Sequence, residues 1–86
     1  MLLARVKGLV VASQKVESLK GLTLRLIQPE DGSGRVLGDA LTAVDLVASR
    51  DGDLVMYIDA REAPKALPGA YGPIDACIVG LVDSAS

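Results

Sequence analysis

Few residues in this chain could do chemistry, and their types exclude most catalytic sites. The sequence contains no histidine, which removes the commonest general base, the usual metal ligand and every triad that depends on an imidazole. Cys77 is the single cysteine and lies in an apolar stretch without a neighbouring base. We therefore expect its thiol to pack as a small hydrophobe. The sequence predicts no catalytic residue, no metal site and no cofactor.

The acidic side chains occur in glycine-containing turns, where Glu30 precedes Asp31 and Asp51 lies close to Asp53. Carboxylates in such turns are usually solvated or hydrogen-bonded to their own backbone. The loop that begins at Asp31 lacks the ligand spacing and the closing glutamate of an EF-hand. Residues 32–38 differ in spacing from a dinucleotide-binding fingerprint, and no helical pattern follows them. We interpret this segment as a hairpin loop.

Composition limits both the partners and the core. Half of the 86 residues are apolar, yet phenylalanine and tryptophan are absent and only Tyr57 and Tyr71 are aromatic. A formal net charge of -2 and so few aromatic rings argue against a nucleic-acid surface. No stretch approaches the roughly 18 apolar residues of a membrane span, and Arg5 and Lys7 interrupt any secretory signal. The single cysteine suits a reducing cytosol, and the small aliphatic core favours oligomerisation.

Alternating apolar residues predict a small all-β barrel or sandwich with one short helix. The predicted strands are Leu2 to Ser13, Leu22 to Gln28, Leu41 to Val47, Leu54 to Ile58 and Pro73 to Asp83. Pro29 is expected to end the second strand, and Pro64 begins the single helical candidate. Asp45 interrupts the apolar run of the third strand, so we expect it at a strand end, hydrogen-bonded to nearby backbone amides.

The last strand is apolar on both faces. Simple alternation places Ala76, Ile78, Gly80 and Val82 on one face and Cys77, Val79 and Leu81 on the other. Such a strand is either a central core strand of a monomer or part of a barrel wall that packs against another subunit. The chain has little room for the helices that cover a parallel sheet, which favours the barrel wall.

Six segments keep an order and a spacing that can be compared with known families. They are residues 4–15 (ARVKGLVVASQK), 18–21 (SLKG), 24–29 (LRLIQP), 43–45 (AVD), 51–55 (DGDLV) and 74–83 (IDACIVGLVD). Together they resemble the vertex proteins of bacterial microcompartments, the family of the ethanolamine-utilisation and carboxysome vertex proteins. Two residues depart from the family pattern: Cys77, where alanine is more usual, and Pro64 in the family's short helix.

The resemblance implies a single domain over residues 1–86, folded as an OB-like five-stranded barrel with one short helix. It implies a structural, non-enzymatic role: a cyclic pentamer that caps the fivefold vertices of a polyhedral shell in the cytoplasm. The implied partners are further copies of the chain and hexameric and trimeric shell proteins, with neither nucleic acid nor membrane. The alternative is an OB-like module that binds a small ligand or nucleic acid, and the sequence lacks the basic or aromatic face for it.

A ring of this kind needs two different surface patches on each subunit. The candidate interface residues are Leu9 and Val11 in one patch and Val79 and Leu81 in the other. For all of them, the alternative location is the barrel core. The polar segment Gln14 to Lys20 follows a strand that is otherwise apolar, so Gln14 and Lys15 are candidates for a rim or pore loop.

Overall fold

The computed structural model describes residues 2–10, 23–59 and 74–82. The strands in these ranges are β1 (Leu2–Val10), β2 (Leu24–Glu30), β3 (Leu41–Asp45), β4 (Leu54–Asp59) and β5 (Ala76–Leu81). They form a closed barrel in the order β1-β2-β3-β5-β4. The β3–β5 pair is parallel and the other pairs are antiparallel. The predicted five-stranded barrel is confirmed, and the helix predicted from Pro64 lies outside the described residues.

The barrel interior is aliphatic, as the composition predicts. Its buried cluster comprises Ala4, Val6, Ile27, Ala43, Val55, Tyr57, Ala76 and Ile78. Three alanines allow the wall of a small barrel to close around the β-branched side chains. Burial of one isoleucine or valine contributes about 1.5–3 kcal/mol, so this cluster stabilises the barrel. Among the described residues, no helix has the length and apolar character needed to cross a membrane.

Two predicted strand ends are wrong. Pro29 does not end β2, which continues to Glu30. The β3 strand first pairs with β2 at Ile27. Beyond that point Pro29 faces the β2–β3 loop, whose Leu37 amide donates to the Pro29 carbonyl at 2.9 Å, so the missing N–H removes no hydrogen bond between β2 and β3. The β3 strand ends at Asp45 instead of Val47, because the Asp45 carboxylate binds the backbone of the residues that follow.

A β-bulge in β1 and another in β5 interrupt the simple alternation. In β1 the register shifts between Val6 and Gly8, which leaves Lys7 without a partner on β2. In β5 the extra residue is Val79, because Tyr57 pairs with Ile78 and Met56 pairs with Gly80. A bulge changes the face to which the following residues point. The alternation that grouped Cys77 and Leu81 on one face is therefore wrong, because Val79 intervenes as an extra residue.

Candidate functional site

The carboxylate of Asp45 is fully enclosed at one end of the barrel, here called the far end (Arg25 and residues 45–53). Its Oδ1 accepts a hydrogen bond from the Val47 amide at 3.0 Å, and Oδ2 accepts from the Ser49 amide at 2.8 Å and hydroxyl at 2.9 Å. Arg25 Nε donates to Oδ2 at 3.2 Å, and Arg25 Nη2 donates to the Ser49 carbonyl at 2.6 Å. The expectation that Asp45 binds nearby backbone amides is confirmed.

These contacts determine the charge of Asp45 and the path of the next loop. Burial alone would raise the pKa of Asp45, but hydrogen bonds from Val47, Ser49 and Arg25 outweigh it and lower the pKa. The ionised carboxylate thereby holds a turn in which Ala48 has a φ of 55°. That conformation is unfavourable for a residue with a Cβ, so the Asp45 network stabilises a strained turn.

The opposite end of the barrel, here called the mouth (residues 2–3, 29–32, 37–41 and Tyr57), contains a cleft of about 460 Å³. Leucines from β1, β3 and the β2–β3 loop contribute its apolar lining, and Glu30, Asp31 and Asp39 contribute carboxylates. Its volume falls within the range of ligand pockets, about 300–1,000 Å³. The cleft is formed by segments that are distant in sequence, so no local pattern in the sequence predicts it.

The loop beside the cleft is held by Asp31. Its Oδ1 accepts hydrogen bonds from the Ser33 amide at 2.8 Å, the Ser33 hydroxyl at 2.7 Å and the Arg35 amide at 2.9 Å. The Ser33 hydroxyl and these amides lower the pKa of Asp31. The loop joins the antiparallel pair β2 and β3, which confirms the hairpin-loop interpretation and leaves no dinucleotide-binding helix at this position.

Two polar groups at the mouth differ in how well they are satisfied. Glu30 accepts hydrogen bonds from Arg5 Nε and Nη2, both at 3.3 Å, and Arg5 Nη1 donates to the Gly52 carbonyl at 3.0 Å. Tyr57 is only 8% exposed and lines the cleft, but no described residue hydrogen-bonds to its hydroxyl. Burial and the charge of Asp59 raise the pKa of Tyr57. A buried hydroxyl normally has a partner.

Three of the predicted interface residues can be located. In the single chain Leu9 is 63% exposed, Leu81 48% and Val79 43%. They belong to a larger set of exposed large apolar side chains that also includes Leu2, Leu26, Val36, Leu37 and Leu46. Their role in a subunit contact stays a prediction. Val11, Gln14 and Lys15 lie outside the described residues.

Cys77 is buried and pairs with Val44 on β3 and Ile58 on β4. Burial raises the pKa of its thiol, which disfavours the nucleophilic thiolate. The packing role expected for Cys77 agrees with this environment. Within residues 2–10, 23–59 and 74–82, no three histidine, cysteine, aspartate or glutamate residues are grouped closely enough to hold a metal ion.

Comparison with known proteins relates this barrel to shell components. The chain is 37% identical over 91 aligned positions to the microcompartment shell vertex protein PduN of Salmonella typhimurium. This alignment covers all of this chain and 99% of PduN. It superposes with a TM-score of 0.79 on GrpN, a pentameric microcompartment shell protein from Rhodospirillum rubrum, at 30% identity over all of this chain and 99% of GrpN. The carboxysome protein CcmL of Gloeobacter violaceus gives a TM-score of 0.80 at 31% identity, over all of this chain and 89% of that one.

A family model supports the same relationship along the chain. The model for the ethanolamine utilisation protein EutN/carboxysome family matches residues 1–83. Its match therefore spans all five strands of the barrel. The chain belongs to the EutN/CcmL family.

Proposed function

We propose that this chain is a structural protein whose cyclic pentamer caps the fivefold vertices of a bacterial microcompartment shell. The observation that carries the proposal is the match along the whole chain to GrpN, a pentameric shell protein with the same barrel. The relatives named above are shell and carboxysome proteins. Each subunit would thus contribute shape and contact surface to the shell, and no reaction of its own.

The surface of the barrel supports assembly. Several large apolar side chains are exposed at both ends of a very small subunit, and exposed apolar patches commonly mark interaction sites. A head-to-tail ring covers two different patches on every subunit and leaves no end free. We assign Leu9 and Val11 to one patch and Val79 and Leu81 to the other. In this proposal the last strand is the part of the barrel wall that packs against another subunit.

The remaining parts of the proposal concern location and neighbours. The chain functions as a single domain over residues 1–86, in shells that assemble in the cytoplasm. The ring contacts hexameric and trimeric shell proteins at its rim and binds neither nucleic acid nor membrane. The net charge of -2 agrees with this, because a polyanion would be repelled. Gln14 and Lys15 are the proposed rim or pore residues.

Native mass spectrometry of the purified chain tests the pentamer directly. One chain has a mass of 8.9 kDa, so five copies give 5 × 8.9 = 44.5 kDa. We expect this species to persist at micromolar concentration, with little folded monomer. A persistent monomer or dimer under the same conditions would overturn the proposed function.

A further inference from the structure

The mouth has the properties of a surface that another molecule completes. Leu2 and Leu37 line the cleft while about half exposed, and Val36 beside them is more exposed still. Tyr57 lines the same cleft, and its hydroxyl makes no hydrogen bond with the described residues. A polar group that is removed from water without a hydrogen-bond partner is unfavourable. An occupant with an apolar surface and a hydrogen-bond acceptor would remove both penalties.

The charge of the mouth limits what that occupant can be. Arg5 neutralises Glu30, and Asp31 Oδ1 is engaged by its own turn. Asp39 is exposed at the edge of the cleft and makes no ion pair within the described part of the chain. The occupant should therefore present a cation next to an apolar group.

One described segment of this chain has that combination. Lys7 is exposed, and Leu9, two residues further along β1, has the largest exposed fraction of the large apolar side chains, 63%. Arg5 and Arg25 hold carboxylates of their own chain, and Arg35 belongs to the loop beside the cleft. Arg50 has no large exposed apolar side chain two residues away. The bulge also leaves Lys7 without a paired residue on β2.

The same copy cannot fill its own mouth. Leu2 and Lys7 lie on one strand, and five residues of strand span about 17 Å. Two complementary patches separated in this way on one chain produce a head-to-tail contact between copies, and such contacts close into rings.

We propose that the mouth of one subunit receives the Lys7–Leu9 segment of the neighbouring copy. Asp39 pairs with Lys7, the leucines of the mouth cover Leu9, and the Tyr57 hydroxyl donates to the backbone carbonyl of Lys7. The inference rests on the proposed ring and specifies the surfaces that form it. It adds a receiving surface to the patches assigned above.

Charge reversal with a compensating partner tests the contact. The ring of the full chain is diluted and its dissociation is followed by analytical ultracentrifugation, with circular dichroism as the check on folding. We expect Asp39→Lys and Lys7→Asp each to dissociate at a concentration about tenfold higher than wild type. The double variant Asp39→Lys/Lys7→Asp should recover most of the lost ring stability, so that it dissociates at a concentration close to that of wild type. Arg50→Asp is the matched control and should behave as wild type.

Tyr57→Phe isolates the hydroxyl. It keeps the aromatic ring in the core, so the barrel spectrum should not change, while the ring of subunits should dissociate at a severalfold higher concentration. Unchanged dissociation of both single reversals would overturn the proposed contact and leave the pentamer standing. Failure of the double variant to recover would also overturn it. A wild-type monomer, by contrast, refutes the proposed function itself.

A small cation is the competing occupant. Butylammonium carries a charge and a short apolar chain, and its binding can be measured by isothermal titration calorimetry on the wild-type ring. We expect no binding, because the neighbouring subunit occupies the mouth. Binding that Asp39→Lys abolishes would show that the mouth is open in the assembled ring, and would overturn the contact.

Discussion

At the far end of the barrel the Asp45 carboxylate accepts hydrogen bonds from Val47, Ser49 and Arg25. At the mouth, the Tyr57 hydroxyl has no partner among the described residues, and apolar side chains surround an open cleft. Both ends belong to the same barrel. The two ends therefore differ in whether their enclosed polar groups have hydrogen-bond partners. What distinguishes the mouth is a buried polar group left unsatisfied beside exposed leucines.

The difference between the far end and the mouth is tested most strongly by Asp45→Asn. This substitution keeps the size of the side chain and removes its charge. Arg25, whose side chain is 18% exposed, would then lack its buried counter-charge. We expect a loss of about 3 kcal/mol in the free energy of unfolding, measured by urea denaturation at fixed protein concentration.

Asp51→Asn is the matched control. Asp51 lies 4.0 Å from the same arginine, but its side chain is 69% exposed. We expect a change within about 0.5 kcal/mol. Equal effects of the two substitutions would show that the enclosed network does not stabilise the far end.

Acid should weaken the far end more than the mouth. The pKa of Asp45 is lowered in the folded chain, so its contribution is complete above the ordinary value of 3.8 and is lost as the pH falls below it. Urea midpoints at falling pH should therefore decline more steeply for wild type than for Asp45→Asn. The pKa of Asp31 is shifted in the same direction, but its hydrogen bonds are exposed to water. Asp31→Asn should change the profile less, and the reverse order would contradict the comparison.

The smallest predicted effects concern single backbone positions. Ala48→Gly at the far end removes a Cβ from a residue with a φ of 55° and should stabilise the chain by about 0.5–1 kcal/mol. Gly34→Ala, in the loop beside the mouth, places a Cβ at a φ of 92° in open space. It should therefore destabilise by about 1 kcal/mol through backbone strain alone. Thermal denaturation of both variants checks the opposite signs.

The sequence predicted those features that depend on residues close together along the chain. Alternation predicted the five strands, and the isolated acid in an apolar run predicted that Asp45 binds backbone amides at a strand end. The two bulges were missed because an extra residue in a strand leaves no reliable trace in an apolar run such as that around Val79. Arg25 was missed because it lies 20 residues from Asp45 along the chain. The register of β2 against β3 is what brings the two together.

The mouth was beyond prediction for a similar reason. Its walls come from β1, the β2–β3 hairpin and β4, and no single segment has an unusual composition. Whether the Tyr57 hydroxyl has a hydrogen-bond partner depends on which residues lie near it in the folded chain. Hydrophobic periodicity does not predict those neighbours. The resemblance to a known family identified the fold and role, but not these surfaces.

The position of β5 has a consequence for how the subunit is made. It is the last of the described strands in sequence, yet it lies between β3 and β4 and pairs in parallel with β3. Until β5 is synthesised, β3 and β4 each present an unpaired edge, the kind of edge that invites aggregation. Pairings between distant segments also form slowly. The nascent chain therefore cannot close its barrel before β5 has been synthesised, so a subunit becomes competent to assemble only once that strand is in place.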